Sequence, residues 1–131
     1  GQLRVLADRV AARRRVFARY VEAFADLPGI SFMPAPSWSE PNRWLTCILV
    51  DDTAAGVDRE GIRLALLAKD IEARPVWKPM HLQPVFAGSG VVGGSVGEDL
   101  FAHGLCLPSG SNLRDDELDE VIELVRATVR R

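Results

Sequence analysis

The side chains that could do chemistry together lie in one proline-rich stretch, residues 74–84, with the sequence RPVWKPMHLQP. Its prolines forbid a helix, and each also pushes the preceding residue towards extended backbone. A rigid segment of this kind can hold side chains at fixed positions on the rim of a cleft. We therefore predict a ligand-binding site, formed by Arg74, Trp77, Lys78 and His81. Cationic donors suit a diphosphate or a carboxylate, and an indole can stack on a sugar or a base.

The same four residues also allow a purely structural interpretation. Arg74 and Lys78 would then be solvated charges, Trp77 would belong to the core, and His81 would be hydrogen-bonded to backbone. Residue types alone leave both interpretations open.

A glycine-rich stretch, GSGVVG at residues 88–93, matches the pattern of dinucleotide-binding loops. That motif requires a strand directly before its first glycine and a helix that opens within it. Here Pro84 precedes it closely, and a helix can begin only after further glycines and serines. We predict a surface loop instead.

A basic cluster lies near the start of the chain and comprises Arg9, Arg13, Arg14, Arg15 and Arg19. Consecutive residues point in different directions around a helix, so only part of the cluster can form one face. We predict a solvated or interdomain surface, and contact with a phosphate backbone is the alternative. A net charge of −2 gives no reason to expect general affinity for nucleic acid or anionic membranes.

Length and composition indicate one globular domain. A chain of 131 residues, 47% hydrophobic and 26% charged, is large enough for its own core. No apolar run approaches the length of a membrane span, and we expect a cytoplasmic protein. Cys47 and Cys106 both lie in apolar, strand-like runs, which favours buried free thiols over a disulfide. His81 and His103 have no Cys or His close in sequence, so no metal site is predicted.

Helical and strand patterns interleave along the chain. Helices are predicted over residues 2–26, 58–69 and 96–103 and from 115 onward, and strands over 30–33, 44–50, 71–74 and 105–107. The simplest architecture is an α/β two-layer sandwich. In it, a small mixed sheet is covered on one face by the long first helix and the last helix.

The helix ends carry recognisable signals. Asp58 can cap the second helix, and the spacing of Ser95 and Glu98 fits a capping box. Arg114 stands where a Ser, Thr or Asp cap is usual. The last helix has an apolar stripe (Leu118, Val121, Ile122, Val125 and Val129), and Arg126, Arg130 and Arg131 lie at its end, as the helix dipole favours.

The proline-rich stretch and the later LCLPSGSN of residues 105–112, in this order, resemble the C-terminal part of the DegT/StrS sugar aminotransferases. The similarity runs over nearly the whole chain and includes the final helix. These enzymes use pyridoxal phosphate, and the resemblance is strongest to those that make amino sugars for bacterial polysaccharides and glycoproteins.

The resemblance implies that residues 1–131 are the small C-terminal domain of a fold-type I enzyme, with residues 1–27 as an interdomain helix and the pyridoxal phosphate domain outside this sequence. It implies transfer of an amino group, typically from glutamate, to a nucleotide-linked keto-sugar. It assigns substrate binding to Arg74, Trp77, Lys78 and His81, with no catalytic or cofactor-binding residue here. Members of the family are usually homodimers.

The cofactor of such an enzyme is held by a lysine. The only lysines are Lys69 and Lys78, and neither position resembles the cofactor lysine of the family. We therefore expect this chain alone to be inactive. The competing hypothesis is a non-enzymatic ligand-binding or interaction module that shares the fold.

Overall fold

The computed structural model describes residues 1–129 and contains one four-stranded sheet. The strands are β1 (Ile30–Phe32), β2 (Thr46–Val50), β3 (Arg74–Pro75) and β4 (Gly104–Leu107), in the order β1-β2-β4-β3. The helices are α1 (Leu6–Ala23), α2 (Asp52–Ala55), α3 (Arg59–Leu67), α4 (Val96–His103) and α5 (Asp115–Val129), and short 3-10 helices cover Gln2–Val5, Met80–Leu82 and Pro84–Phe86.

The predicted α/β class is confirmed, but every described strand pair is antiparallel, whereas a mixed sheet was predicted. β2 and β3 do run in the same direction, because a helical connection joins them. β4 lies between them and runs opposite to both, so the two parallel strands never become neighbours.

The core lies between one face of the sheet and α1, α3 and α5. Alternate residues of β2, Thr46, Ile48 and Val50, are buried on this face, as the period of a strand requires. Leu105 and Leu107 of β4 are paired with Ile48 and Thr46 and complete the same layer. The fourth larger helix, α4, contacts β2 and β4 and lies apart from this core.

The first helix follows its predicted range only in part. It opens with a 3-10 turn and ends at Ala23, although residues up to 26 were predicted. Arg126 of α5 accounts for this end, because its guanidinium donates to the carbonyl of Ala23 and to both carboxylate oxygens of Asp26, the latter at 2.7 and 2.8 Å. Apolar residues of the second half of α1 and its end, Val16, Tyr20 and Phe24, are buried, whereas Leu3 near the start is 84% exposed.

Buried Tyr20 links α1 to the end of β4. Its hydroxyl donates to the carbonyl of Pro108 at 3.0 Å. Burial raises the pKa of Tyr20 well above its usual value, so the side chain acts as a neutral hydrogen-bond donor.

The cap predictions had mixed outcomes. Asp58 caps α3 by accepting from the N–H of Gly61 at 2.7 Å, as predicted. The capping box at Ser95 is wrong, because the Ser95 side chain makes no cap hydrogen bond and Glu98 contacts His81 instead. At Arg114 the glutamate half of a capping box is present, since Glu117 accepts from the Arg114 N–H at 2.9 Å.

The last helix and the third strand were predicted, and one short helix was not. The stripe predicted for the last helix is buried as expected. The strand predicted over 71–74 is shorter and later, at Arg74–Pro75. Asp51 caps the short α2, which was not predicted, by accepting from two backbone N–H groups at 3.1 Å. The predicted dipole partners Arg130 and Arg131 lie outside the described residues.

Two glycines provide a test of the packing around α4. A Cβ on Gly104 would lie 2.3 Å from the carbonyl oxygen of Leu100 and 2.5 Å from Val76 Cγ2, whereas one on Gly97 would meet only Pro79 Cγ at 3.6 Å. We expect Gly104→Ala to lower the free energy of unfolding, and Gly97→Ala to raise it by up to about 1 kcal/mol because Ala favours the helix. Urea midpoints measure both, and a shift of the same sign in the two variants would contradict the packing described.

Candidate functional site

The proline segment, residues 74–84, is fixed to the sheet at its beginning. Arg74 pairs with Cys106 and Pro75 with Leu105, and the N–H of Val76 donates to the carbonyl of Gly104 at 3.1 Å. Beyond this point the segment leaves the sheet, forms the 3-10 turn Met80–Leu82 and ends where a second one, Pro84–Phe86, begins. Its backbone is therefore anchored at one end and irregular but locally hydrogen-bonded afterwards.

Trp77 stacks on Trp44, the residue shortly before β2. Their ring centroids are 5.9 Å apart with an interplanar angle of 27°. Both indoles are more than half exposed, so Trp77 is not the core residue that the structural interpretation required. Together with Arg74 they line a groove of about 360 Å³, whose other walls include Glu72, Cys106 and Ser109.

Arg74 reaches this groove as part of an ion pair. Its guanidinium donates from Nε to Oε1 of Glu72 at 2.8 Å, and both side chains are more than two-thirds exposed. An exposed pair of this kind contributes little to stability, so a ligand anion can replace Glu72 at low cost.

His81 contacts a carboxylate rather than the backbone. Its Nε2 lies 2.8 Å from Oε1 of Glu98 in the first turn of α4, and the histidine side chain is only 25% exposed. Glu98 thereby fixes the imidazole and connects the proline segment to α4. Lys78 is exposed and makes no hydrogen bond or ion pair with any of residues 1–129.

The four predicted residues thus fall into two places. Arg74 and Trp77 line the groove, and Lys78 and His81 lie outside its lining. Sequence reasoning missed two of their neighbours, Trp44 and Glu98. Trp44 had been counted only as the start of an apolar strand, and Glu98 only as a capping residue.

Most of the basic cluster on α1 is bonded within the chain. The observed contacts are Arg13 with the carbonyls of Trp44 and Ser109, Arg14 with those of Glu40 and Pro41, Arg15 with Asp115 and Arg19 with Asp119. These arginines tie α1 to the loop before β2 and to α5. Because these guanidinium groups already bond to carboxylates and backbone carbonyls of this chain, the alternative of contact with a phosphate backbone is disfavoured.

The remaining sequence motifs are structural in this arrangement. In the turn after β4, the hydroxyl of Ser109 accepts from the N–H of Thr46 at 2.8 Å and donates to the carbonyl of Leu107 at 2.8 Å. The glycine-rich stretch 88–93 is exposed and contains neither helix nor strand, in agreement with the predicted surface loop.

Within residues 1–129 no helix is long and apolar enough to cross a membrane.

The class of protein follows from the chain as a whole. A sequence profile of the DegT/DnrJ/EryC1/StrS aminotransferase family matches residues 1–126. The chain belongs to this family.

Named members of the family show how much of this chain, and how much of a complete enzyme, the similarity covers. EpsN of Bacillus subtilis (strain 168), described as a pyridoxal phosphate-dependent aminotransferase, is 45% identical over 129 residues, which are 95% of this chain and 32% of EpsN. A GDP-perosamine synthase of Vibrio cholerae is 27% identical over 127 residues, covering 96% of this chain and 34% of that enzyme. The crystal structure of DesI with its TDP-sugar product superposes with a TM-score of 0.87 at 27% identity, over 98% of this chain and 33% of DesI. The chain thus spans about a third of the length of these relatives.

The stacked indoles allow a direct test of the groove. In a double-mutant cycle of Trp44→Ala and Trp77→Ala, we expect a coupling of about 0.5–1.5 kcal/mol in the free energy of unfolding, because each ring loses the same partner. Trp38, which is 86% exposed, provides the control pair with Trp77 and should show no coupling. Additive effects of Trp44 and Trp77 would mean that the rings do not stack in solution.

Proposed function

We propose that this chain is the small C-terminal domain of a pyridoxal phosphate-dependent aminotransferase that transfers an amino group from glutamate to a nucleotide-linked keto-sugar, for polysaccharide or glycan biosynthesis. Family membership supports the reaction class. The observation that carries the role of this domain is the proline segment, which presents Lys78, unbonded to any of residues 1–129, beside a His81 fixed by Glu98. We further propose that the enzyme is a cytoplasmic homodimer and that residues 1–27 lead from the cofactor domain.

Pyridoxal phosphate, where it is bound, carries the amino group between donor and acceptor. Neither lysine of this chain fits the role of the residue that holds the cofactor. A lysine activated for this purpose is desolvated or lies beside another cationic group, whereas Lys69 and Lys78 are both exposed. We therefore assign the cofactor lysine to a part of the enzyme outside this chain, and we expect the chain alone to be inactive.

The proposed contribution of this domain is to bind and orient the substrate. Lys78 is exposed and has no partner in the described part of the chain, so its ammonium group can pair with a diphosphate oxygen. His81 is held in one orientation by Glu98, so it can meet the sugar or a phosphate without first losing freedom of rotation. Trp77 offers an exposed indole to a sugar or base beside Arg74, so the two residues form one wall of the substrate cleft.

Kinetics of the complete enzyme test this assignment. We expect Lys78→Ala and His81→Ala each to raise KM for the nucleotide-sugar by roughly tenfold or more, equivalent to about 1.4 kcal/mol of binding. The half-reaction with glutamate should be unchanged, because these residues are assigned to the sugar substrate.

Lys69→Ala is the matched control, since it removes the same charge from an exposed position at the end of α3. Unchanged amino transfer in both His81 and Lys78 variants would refute the assignment and favour the non-enzymatic module. A rise in KM for glutamate alone would reassign the two residues to the carboxylate of the amino donor.

The contact between Glu98 and His81 makes a separate prediction. If Glu98 acts only by positioning His81, Glu98→Ala should raise KM for the nucleotide-sugar less than His81→Ala does. The double variant should be no worse than His81→Ala, because the two residues then act as one unit. Glu98→Gln, which keeps an acceptor oxygen, should restore most of the loss. Additive effects would show that Glu98 acts independently of the histidine.

A further inference from the structure

The chain's two cysteines, which sequence analysis placed in separate apolar runs, lie directly opposite each other in the sheet. Cys47 of β2 pairs with Cys106 of β4, and their sulfur atoms are 3.5 Å apart. Both are free thiols. They lie on the sheet face turned away from the main core, because the alternate residues Thr46 and Ile48 point into it.

This position is compatible with a disulfide without backbone rearrangement. Residues directly opposite in an antiparallel pair have Cα atoms about 4.5 or 5.5 Å apart, and both spacings fall within the range that disulfides span. The sulfurs must approach each other by about 1.5 Å to bond, which rotation of the two side chains can supply.

The electrostatics of the pair are unequal. The hydrogen bond with Cys106 lowers the pKa of Cys47 to about 7, although partial burial opposes this shift. The same hydrogen bond raises the pKa of Cys106, and burial and the neighbouring charge add to the rise. Cys47 has the lowered pKa and the more exposed side chain of the two, so it is the cysteine better placed to react as a thiolate, which is the reactive form.

The pair is reached mainly through Cys47, which is only partly buried. Cys106 is buried, at 7% exposed, but it lines the groove beside Trp44 and Trp77. Small buried cysteines usually serve as packing residues. Here neither sulfur belongs to the main hydrophobic cluster, and the two lie within hydrogen-bonding distance of each other at an open groove.

We propose that Cys47 and Cys106 form a reversible dithiol–disulfide pair that hydroperoxides oxidise. The Cys47 thiolate attacks the O–O bond of hydrogen peroxide, so that an S–O bond forms and hydroxide leaves and takes up a proton to become water. The Cys106 thiol then attacks the sulfenic sulfur, the S–S bond forms, and the second oxygen leaves as water with the proton of Cys106. The two thiols lose two electrons in total, and one peroxide is reduced to two waters.

The proposal is independent of the aminotransferase assignment. In a reducing compartment a permanent disulfide is rare, and disulfides that do form there are usually transient and catalytic or redox-sensing. A bond between β2 and β4 would lie beside the groove lined by Trp44, Trp77 and Arg74, so the redox state of the pair can alter that groove.

The test is peptide mapping of the protein as expressed from its gene, after treatment with hydrogen peroxide and blocking of the remaining thiols. Trypsin leaves Cys47 in residues 44–59 and Cys106 in residues 70–114, because the bonds before Pro75 and Pro79 resist cleavage. We expect these two peptides to be linked, with the loss of two hydrogen atoms, and dithiothreitol to separate them. The link should form on the order of tenfold faster in the native protein than in urea, where the cysteines are no longer opposed.

Two variants test the inequality of the pair. Each variant also removes the hydrogen bond between the thiols, so the difference that remains is their exposure. Cys106→Ala should accumulate sulfenic acid on the partly exposed Cys47, which dimedone traps, whereas in Cys47→Ala the buried Cys106, 7% exposed, should react at least several-fold more slowly. Native protein that forms no link, or that forms it no faster than the unfolded chain, would overturn the proposal. So would Cys106 reacting equally fast in Cys47→Ala, since Cys47 would then not be the attacking residue.

Discussion

The pairing of β4 with strands on both sides is the constraint on which the rest of this structure depends. All four residues of β4 are buried, and the strand bonds to β2 on one edge and to β3 on the other. It closes the core through Leu105 and Leu107, and it fixes the start of the proline segment through Arg74 and Pro75. A change that displaces β4 therefore loosens the core and the candidate site together.

The arginines of α1 extend this constraint to the loop before β2. That loop contains several prolines and no strand, so it has no ladder of backbone hydrogen bonds to fix its position. Arg13 bonds to the carbonyls of Trp44 and Ser109 and so joins the loop to the turn after β4. In sequence these arginines form a cluster of surface charges. In the structure they help to position Trp44, the indole on which Trp77 stacks.

Local sequence patterns predicted the four longer helices and the α/β class because periodicity and caps act over a few residues. The α5 stripe and the Asp58 cap are examples. Features that depend on distant residues were not predictable in this way. Ser95 and Glu98 have capping-box spacing, but His81 competes for the glutamate from 17 positions away. The antiparallel sheet likewise depends on β4 inserting between β2 and β3, and the contact between the two indoles depends on the resulting register.

The two faces of the sheet have different roles. One face packs against α1, α3 and α5 and supplies most of the buried apolar surface. The other face, which α4 contacts at β2 and β4, carries Cys47, Cys106 and Arg74 next to an open groove and apart from that core. Because an antiparallel sheet can be stable with one face packed, the residues of the open face can be selected for ligand contact or redox chemistry with little loss of core packing. The face that carries the groove is therefore the one on which side chains can change at little cost to the core.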